Sequence, residues 1–163
     1  MALSLFCAKH LVIIDKAVTG ISRESLGRFL LRARRAVGVS GKVNILVASS
    51  RRVRGLNRRF RGKDKPTDVL SFPPLLPVSR DFAGDIAISA DVAVRNAIRY
   101  GHAPAEEVKI LVLHGLLHLA GYDHETDRGR MARREEHLRT ILGLPGGLIR
   151  RALDASPAAR RKS

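Results

Sequence analysis

Apolar positions along this chain repeat with two periods, and the switches between them mark out the elements. Leu11 to Ile14 is a short apolar run of strand character. Ser22 is a good helix N-cap; Leu26, Phe29, Leu30, Ala33 and Val37 then recur at helical spacing until Gly38 closes the turn. Val43 to Ala48 is apolar and β-branched, as a buried strand is. Ser49 or Ser50 opens a shorter helix whose inward face is read as Val53, Leu56 and Phe60. Pro66 breaks the chain, Asp68 to Phe72 reads as a strand, and Pro73, Pro74 and Pro77 mark a loop. Gly84 precedes the alternating strand Asp85 to Ser89.

Three helices finish the pattern. The first runs from about Ala90 to Tyr100 and stops at Gly101. The second begins at Pro104, a favoured first helical residue, and ends before Gly121. Ile110, Leu111, Val112, Leu113, Leu116, Leu117 and Leu119 surround it, so it should be the buried central helix. The third runs from about Thr126 to Leu142 and stops at Gly143. The order β-α-β-α-β-β followed by three helices implies an α+β fold, with about five helices packed on a sheet of about four strands. A single domain over residues 1–145 is expected, followed by a basic tail, 146–163, that is frayed.

Composition narrows the function classes. The apolar share is 45% and the aromatic share 4%, which gives an aliphatic core. Thirty Lys and Arg stand against 15 Asp and Glu, for a formal charge of +15, and a protein so basic is matched first to nucleic acid. Cys7 is the single cysteine, so neither an internal disulfide nor a cysteine zinc site is available. The N-terminal stretch lacks a basic lead and is interrupted by Lys9 and His10, so neither a signal peptide nor a membrane span is expected. An intracellular, cytoplasmic protein is the expectation.

The chemistry centres on LVLHGLLHLAGYDHETD. His114 and His118 lie four residues apart on the apolar helix, hence on one face, one turn apart. Gly121 allows a sharp turn that returns His124 to the same point. Three imidazoles with an open fourth position make a catalytic type of metal site. Zinc suits it, and nickel, cobalt or iron would accept similar ligands. Zinc peptidases with this histidine pattern carry Glu after the first histidine as general base, and here that position is Gly115. Each ligand needs an acceptor for its second ring nitrogen. Glu125 and Asp127 read as charges at the start of the following helix, and Asp123 is open between that role and orienting a ligand imidazole. His137 reads as a solvated side chain on a charged helix.

Residues 51–65 read RRVRGLNRRFRGKDK, with Asp64 the only acid. So dense a row of like charges repels itself, and a phosphate backbone would relieve it. Arg58, Arg59, Lys63 and Lys65 are the candidate contacts to a nucleic-acid backbone. Arg61 differs by its place at the helix end, where its rigid fork can meet a phosphate.

Two stretches together carry a family resemblance. FRGKDKPTDVLSFP (Phe60–Pro73) and HGLLHLAGYDH (His114–His124) resemble the two signatures of the YbeY family, and GDIAIS (Gly84–Ser89) is similar to the family's intervening segment. The resemblance implies a metal-dependent, single-strand-directed endoribonuclease of rRNA maturation. It implies helices on a small mixed sheet, with a central metal-bearing helix distantly like that of zinc proteases. It implies one zinc held by His114, His118 and His124, with Arg61 the functional arginine across a positive cleft. The implied roles are processing of the 3′ end of small-subunit rRNA, small-subunit assembly and ribosome quality control. The implied partners are the small ribosomal subunit, one of its proteins and an assembly GTPase. The N-terminal region and the Arg-rich tail show no family pattern.

The expected reaction is cleavage of an RNA phosphodiester, with the metal as Lewis acid and source of hydroxide and Arg61 stabilising charge in the transition state. Attack by water and attack by the RNA 2′-hydroxyl both stand open. A zinc peptidase is the rival enzyme class, and the missing Glu speaks against it. A non-catalytic assembly factor with a structural zinc is the third class.

Overall fold

A computed structural model describes residues 10–76 and 80–146. The expectations for Cys7, Pro77 and the basic tail lie outside these residues. The elements come in the order β1 (Val12–Ile14), α1 (Arg23–Val37), β2 (Lys42–Ala48), α2 (Ser50–Arg61), β3 (Val69–Phe72), β4 (Phe82–Ser89), α3 (Ala90–Tyr100), α4 (Pro104–Leu119) and α5 (Arg130–Leu142). The α+β class and the order of elements therefore match the sequence reading.

Local chemistry sets the boundaries. The Ser22 hydroxyl accepts from the Ser25 amide, and the Ser25 hydroxyl accepts from the Ser22 amide, which closes a capping box on α1. The Ser49 and Ser89 hydroxyls accept from the Arg52 and Val92 amides and so cap α2 and α3 without the reciprocal bond. The sheet has the order β1-β2-β4-β3. β1, β2 and β4 run parallel, and β3 is an antiparallel edge strand. The sheet is thus mixed, as the family resemblance implied.

One face of the sheet carries the main core. Val43, Ile45, Val47, Ile86 and Ile88 meet Leu26, Leu30, Leu111, Leu113 and Leu117 of α1 and α4 there. α4 is buried from Glu107 to Leu117 except at Lys109, so it lies at the centre of the fold. The opposite face is covered in part by α2, where Val53 packs with Ala48, Leu70 and Ala87.

Three expectations change. Phe60 does not face inward; it is 60% exposed and meets Phe72 edge-on at 5.4 Å. The inward line of α2 follows Val53 and Asn57 instead, because the Asn57 amide turns in to donate to the Lys65 carbonyl and hold the loop after the helix. β4 begins at Phe82 rather than Asp85. Gly84 sits inside the strand because a Cβ there would lie 2.5 Å from the Phe72 carbonyl oxygen and 2.7 Å from Leu119. α5 begins at Arg130 rather than Thr126, since Arg128 (φ 54°) and Gly129 (φ 85°) take left-handed backbone that interrupts a helix. Asp127 then accepts from the Gly129 and Met131 amides, so its carboxylate does sit at the start of α5.

Candidate metal centre

α4 holds His114 and His118 on one side, and the turn at Gly121 (φ 91°) returns His124 to them. The three rings have centroids 4.8, 5.4 and 5.3 Å apart. One nitrogen from each lies within 4.8 Å of the others, so the three can hold a metal ion. His114 is buried, His118 is half-buried and His124 is exposed, so the cluster opens outward on the loop side.

The tautomers follow from what lies behind the rings. The Tyr122 carbonyl can only accept, so His118 Nδ1–H donates to it at 3.0 Å. His114 Nδ1–H donates to the Glu135 carboxylate at 2.8 Å. With both rings neutral, as metal ligation requires, both Nε2 atoms carry lone pairs, and they face one another at 3.2 Å. Two lone pairs at that distance repel unless a cation lies between them. Tetrahedral zinc, with bonds of about 2.0–2.1 Å, sets its ligand nitrogens about 3.3 Å apart. The residues present therefore fit such an ion. Burial, followed by the His114 and His124 imidazoles beside it, pushes the His118 pKa down to about 4, which keeps its ring neutral and free to ligate.

The acceptor behind His114 was not legible as such. Glu135 lies 21 positions away on α5 and is 1% exposed. Its second oxygen accepts from Arg139 Nε at 3.0 Å, and Arg139 is itself 2% exposed. The signal was present: Glu135 and Arg139 fall into the inward stripe of Met131, Leu138 and Leu142, where an ion pair has to be explained. Asp123 serves the turn. Its carboxylate accepts from the Glu125 amide and the Thr126 hydroxyl. The Glu125 bond chiefly holds it below the usual carboxylate range, with His118 and His124 adding to the effect.

Arg61 ends α2 beside the edge strand. Its Nη2 donates to the Ser71 carbonyl at 3.1 Å, and the Ser71 hydroxyl donates to the Gly115 carbonyl at 3.1 Å. Two hydrogen bonds thus link Arg61 to the residue after His114. Arg58, Arg59, Lys63 and Lys65 are exposed around the end of α2, with Arg59 stacked over the Phe60 ring. Arg54 pairs with Asp64 at 2.8 Å.

A model of the family described as endoribonuclease YbeY matches residues 12–143. The chain belongs to the YbeY family. A YbeY endoribonuclease of Koribacter versatilis is 54% identical over 153 residues, covering 93% of this chain and 99% of the relative. One from Solibacter usitatus is 44% identical over 140 residues, covering 86% and 92%. A solution structure from Thermotoga maritima has a TM-score of 0.55 at 28% identity, over 93% of this chain and all of that one.

Gly115 separates this YbeY chain from the peptidases on steric grounds as well. A Cβ there would lie 3.0 Å from two Ile86 methyl carbons and 3.1 Å from the Ser71 hydroxyl. The position faces the sheet, so a glutamate side chain there would have to displace Ile86 and Ser71.

Proposed function

We propose that this protein is a zinc-dependent endoribonuclease that cleaves single-stranded RNA in maturation of the 3′ end of small-subunit rRNA. The pair of inward-facing Nε2 lone pairs at 3.2 Å, on a helix whose next residue excludes a peptidase base, carries the reading. The relatives named as endoribonucleases support the reaction class. The formal charge of +15 supports a polyanionic substrate.

In this reading His114, His118 and His124 hold one zinc ion. Bound there, zinc supplies Lewis acidity and a lowered water pKa. Glu135 and the Tyr122 carbonyl keep two of the ligand rings in the ligating tautomer. Arg61, aimed by the Ser71 carbonyl, places its remaining N–H donors against the phosphate and stabilises the charge that grows on it. Arg58, Arg59, Lys63 and Lys65 contact the flanking backbone and set position rather than sequence. The protein works in the cytoplasm on the small ribosomal subunit. It meets a small-subunit ribosomal protein and an assembly GTPase there, and takes part in subunit assembly and quality control.

The test compares wild type, His114→Ala and Arg61→Ala on small-subunit rRNA precursors, with metal content measured in each. His114→Ala should lose metal and cleavage, whereas Arg61→Ala should keep its metal and lose cleavage. Unchanged cleavage by Arg61→Ala removes that residue from the mechanism. A 2′,3′-cyclic phosphate on the product assigns the attack to the RNA's own hydroxyl; a 5′-phosphate with a free 3′-hydroxyl assigns it to water.

A further inference from the structure

We propose that the outer face of α5, together with Tyr122, is a second RNA-binding surface that takes the phosphodiester backbone of a single strand beside the metal centre. The inference rests on the endoribonuclease reading for its ligand and on separate residues for its site.

The inner face of α5 is committed to the core through Met131, Leu138 and Leu142 and to His114 through Glu135. Its outer stripe is basic. Arg130, Arg133, Arg134 and His137 follow one another at helical spacing and line a recess of about 470 Å³ whose remaining wall is Tyr122. Tyr122 ties this recess to the histidines, because its carbonyl accepts from His118 Nδ1–H at 3.0 Å. Tyr122 is thus shared by the recess and by the turn that carries His118 to His124.

The placement of the charges is unfavourable for the fold. The first turn of α5 contains no acid, and its arginines stand at the positive end of the helix dipole. Among the described residues, no carboxylate lies within ion-pair distance of Arg130, Arg133 or Arg134. Asp127 is the near acid; it caps the Gly129 and Met131 amides and so offsets the helix dipole, but it pairs with none of the arginines. Arg134 is held in place by donating to the Ala36 carbonyl at 3.1 Å, which orders the middle of the stripe without neutralising it. The guanidinium groups therefore make a positive potential, open to solvent at Arg130 and Arg133. A phosphate chain answers that potential, and Tyr122, half-buried against the core, closes the recess beside it.

The experiment uses the metal-loaded full chain and a short, uncleavable 2′-O-methyl single-stranded RNA, with affinity measured across a salt series. Removing two phosphate contacts in Arg130→Ala/Arg133→Ala should weaken binding and flatten the slope of log affinity against log salt by about 1.4, at about 0.7 per contact. With cleavable RNA the same variant should raise KM and leave kcat within about twofold. The control is Arg28→Ala/Arg32→Ala on the exposed side of α1, which removes equal charge elsewhere and should leave the slope unchanged. An unchanged slope in the α5 variant overturns the proposal, as does an equal change in the α1 control. Lost binding to polyglutamate with RNA binding intact overturns it in favour of an acidic protein partner. Thermal melting guards against misfolding, since relieving the helix N-terminus should hold or raise the melting temperature. If no variant and no wild type cleaves RNA, the endoribonuclease reading fails while the salt slope still decides the face.

Discussion

Replacing Glu135 by Gln separates two jobs that one buried carboxylate performs. Its oxygens accept from His114 Nδ1 at 2.8 Å and from Arg139 Nε at 3.0 Å. An amide has one oxygen, so one of those donors must then face an NH2 group. If His114 loses its acceptor, its ring is no longer held in the ligating tautomer, and a charge-assisted bond is gone. Loss of such an orienting partner costs about 10- to 100-fold in metal affinity, or about 1.4 to 2.7 kcal/mol. Arg139 loses its counter-ion in either orientation of the amide. Breaking a buried pair costs about 3 to 5 kcal/mol, a large share of the 5 to 15 kcal/mol of a typical domain. The variant should therefore bind zinc more weakly by about one to two decades in a chelator competition, and should unfold at lower denaturant. Arg139→Met is the comparison, because it breaks the ion pair but leaves the His114 acceptor. It should lose stability yet keep zinc affinity within about threefold. If Glu135→Gln holds zinc within twofold of wild type, Glu135 is a fold residue only and its positioning role is wrong.

His118→Ala should abolish tight zinc binding in the same competition while preserving the helical far-ultraviolet signal, since its ring reaches the half-open side of α4. Gly115→Glu should not create a peptidase. It should destabilise the chain by more than the usual 1 to 3 kcal/mol of an overpacked core, because the new side chain meets Ile86 and Ser71; a stable variant that cleaves peptides would refute the steric argument. The metal-free protein should weaken on acidification. The folded His118 pKa, about 4, lies below its ordinary value of 6.5, so between those values the unfolded chain holds a proton that the folded chain does not. Stability should therefore fall as pH drops from 6.5 to 4 and level off below. For this partly open ring the loss is about 1 to 2 kcal/mol after screening, read by denaturant titrations in the presence of chelator. A flat profile across that window would count against the burial of His118.

Much of this architecture is legible in the chain because it is local. Ser22, Gly38, Ser49, Ser89 and Gly101 act on backbone groups within a few residues, and their elements begin or end close to where the pattern places them. The histidine cluster is legible for the same reason. Helical spacing brings His114 and His118 together, and one glycine turn returns His124. Residues whose partners are distant are harder to read. Phe60 has the right spacing to face inward, but Asn57 takes the inward line because the loop at Lys65 needs its amide. Glu135 looks like one more charge on a charged helix until α5 packs on α4 and carries its carboxylate to His114.

The same division holds at the site itself. The three imidazoles, the absent base at Gly115 and the excess of arginine follow from residue identity and short-range geometry. The carboxylate that orients His114, the hydrogen-bonded link from Arg61 through Ser71 to Gly115, and the basic face of α5 beside Tyr122 do not. Each of those depends on which surfaces the core presses together, and core burial is non-directional and indifferent to sequence separation. Helical spacing can place a ligand, but only the packed fold can place what stands behind it.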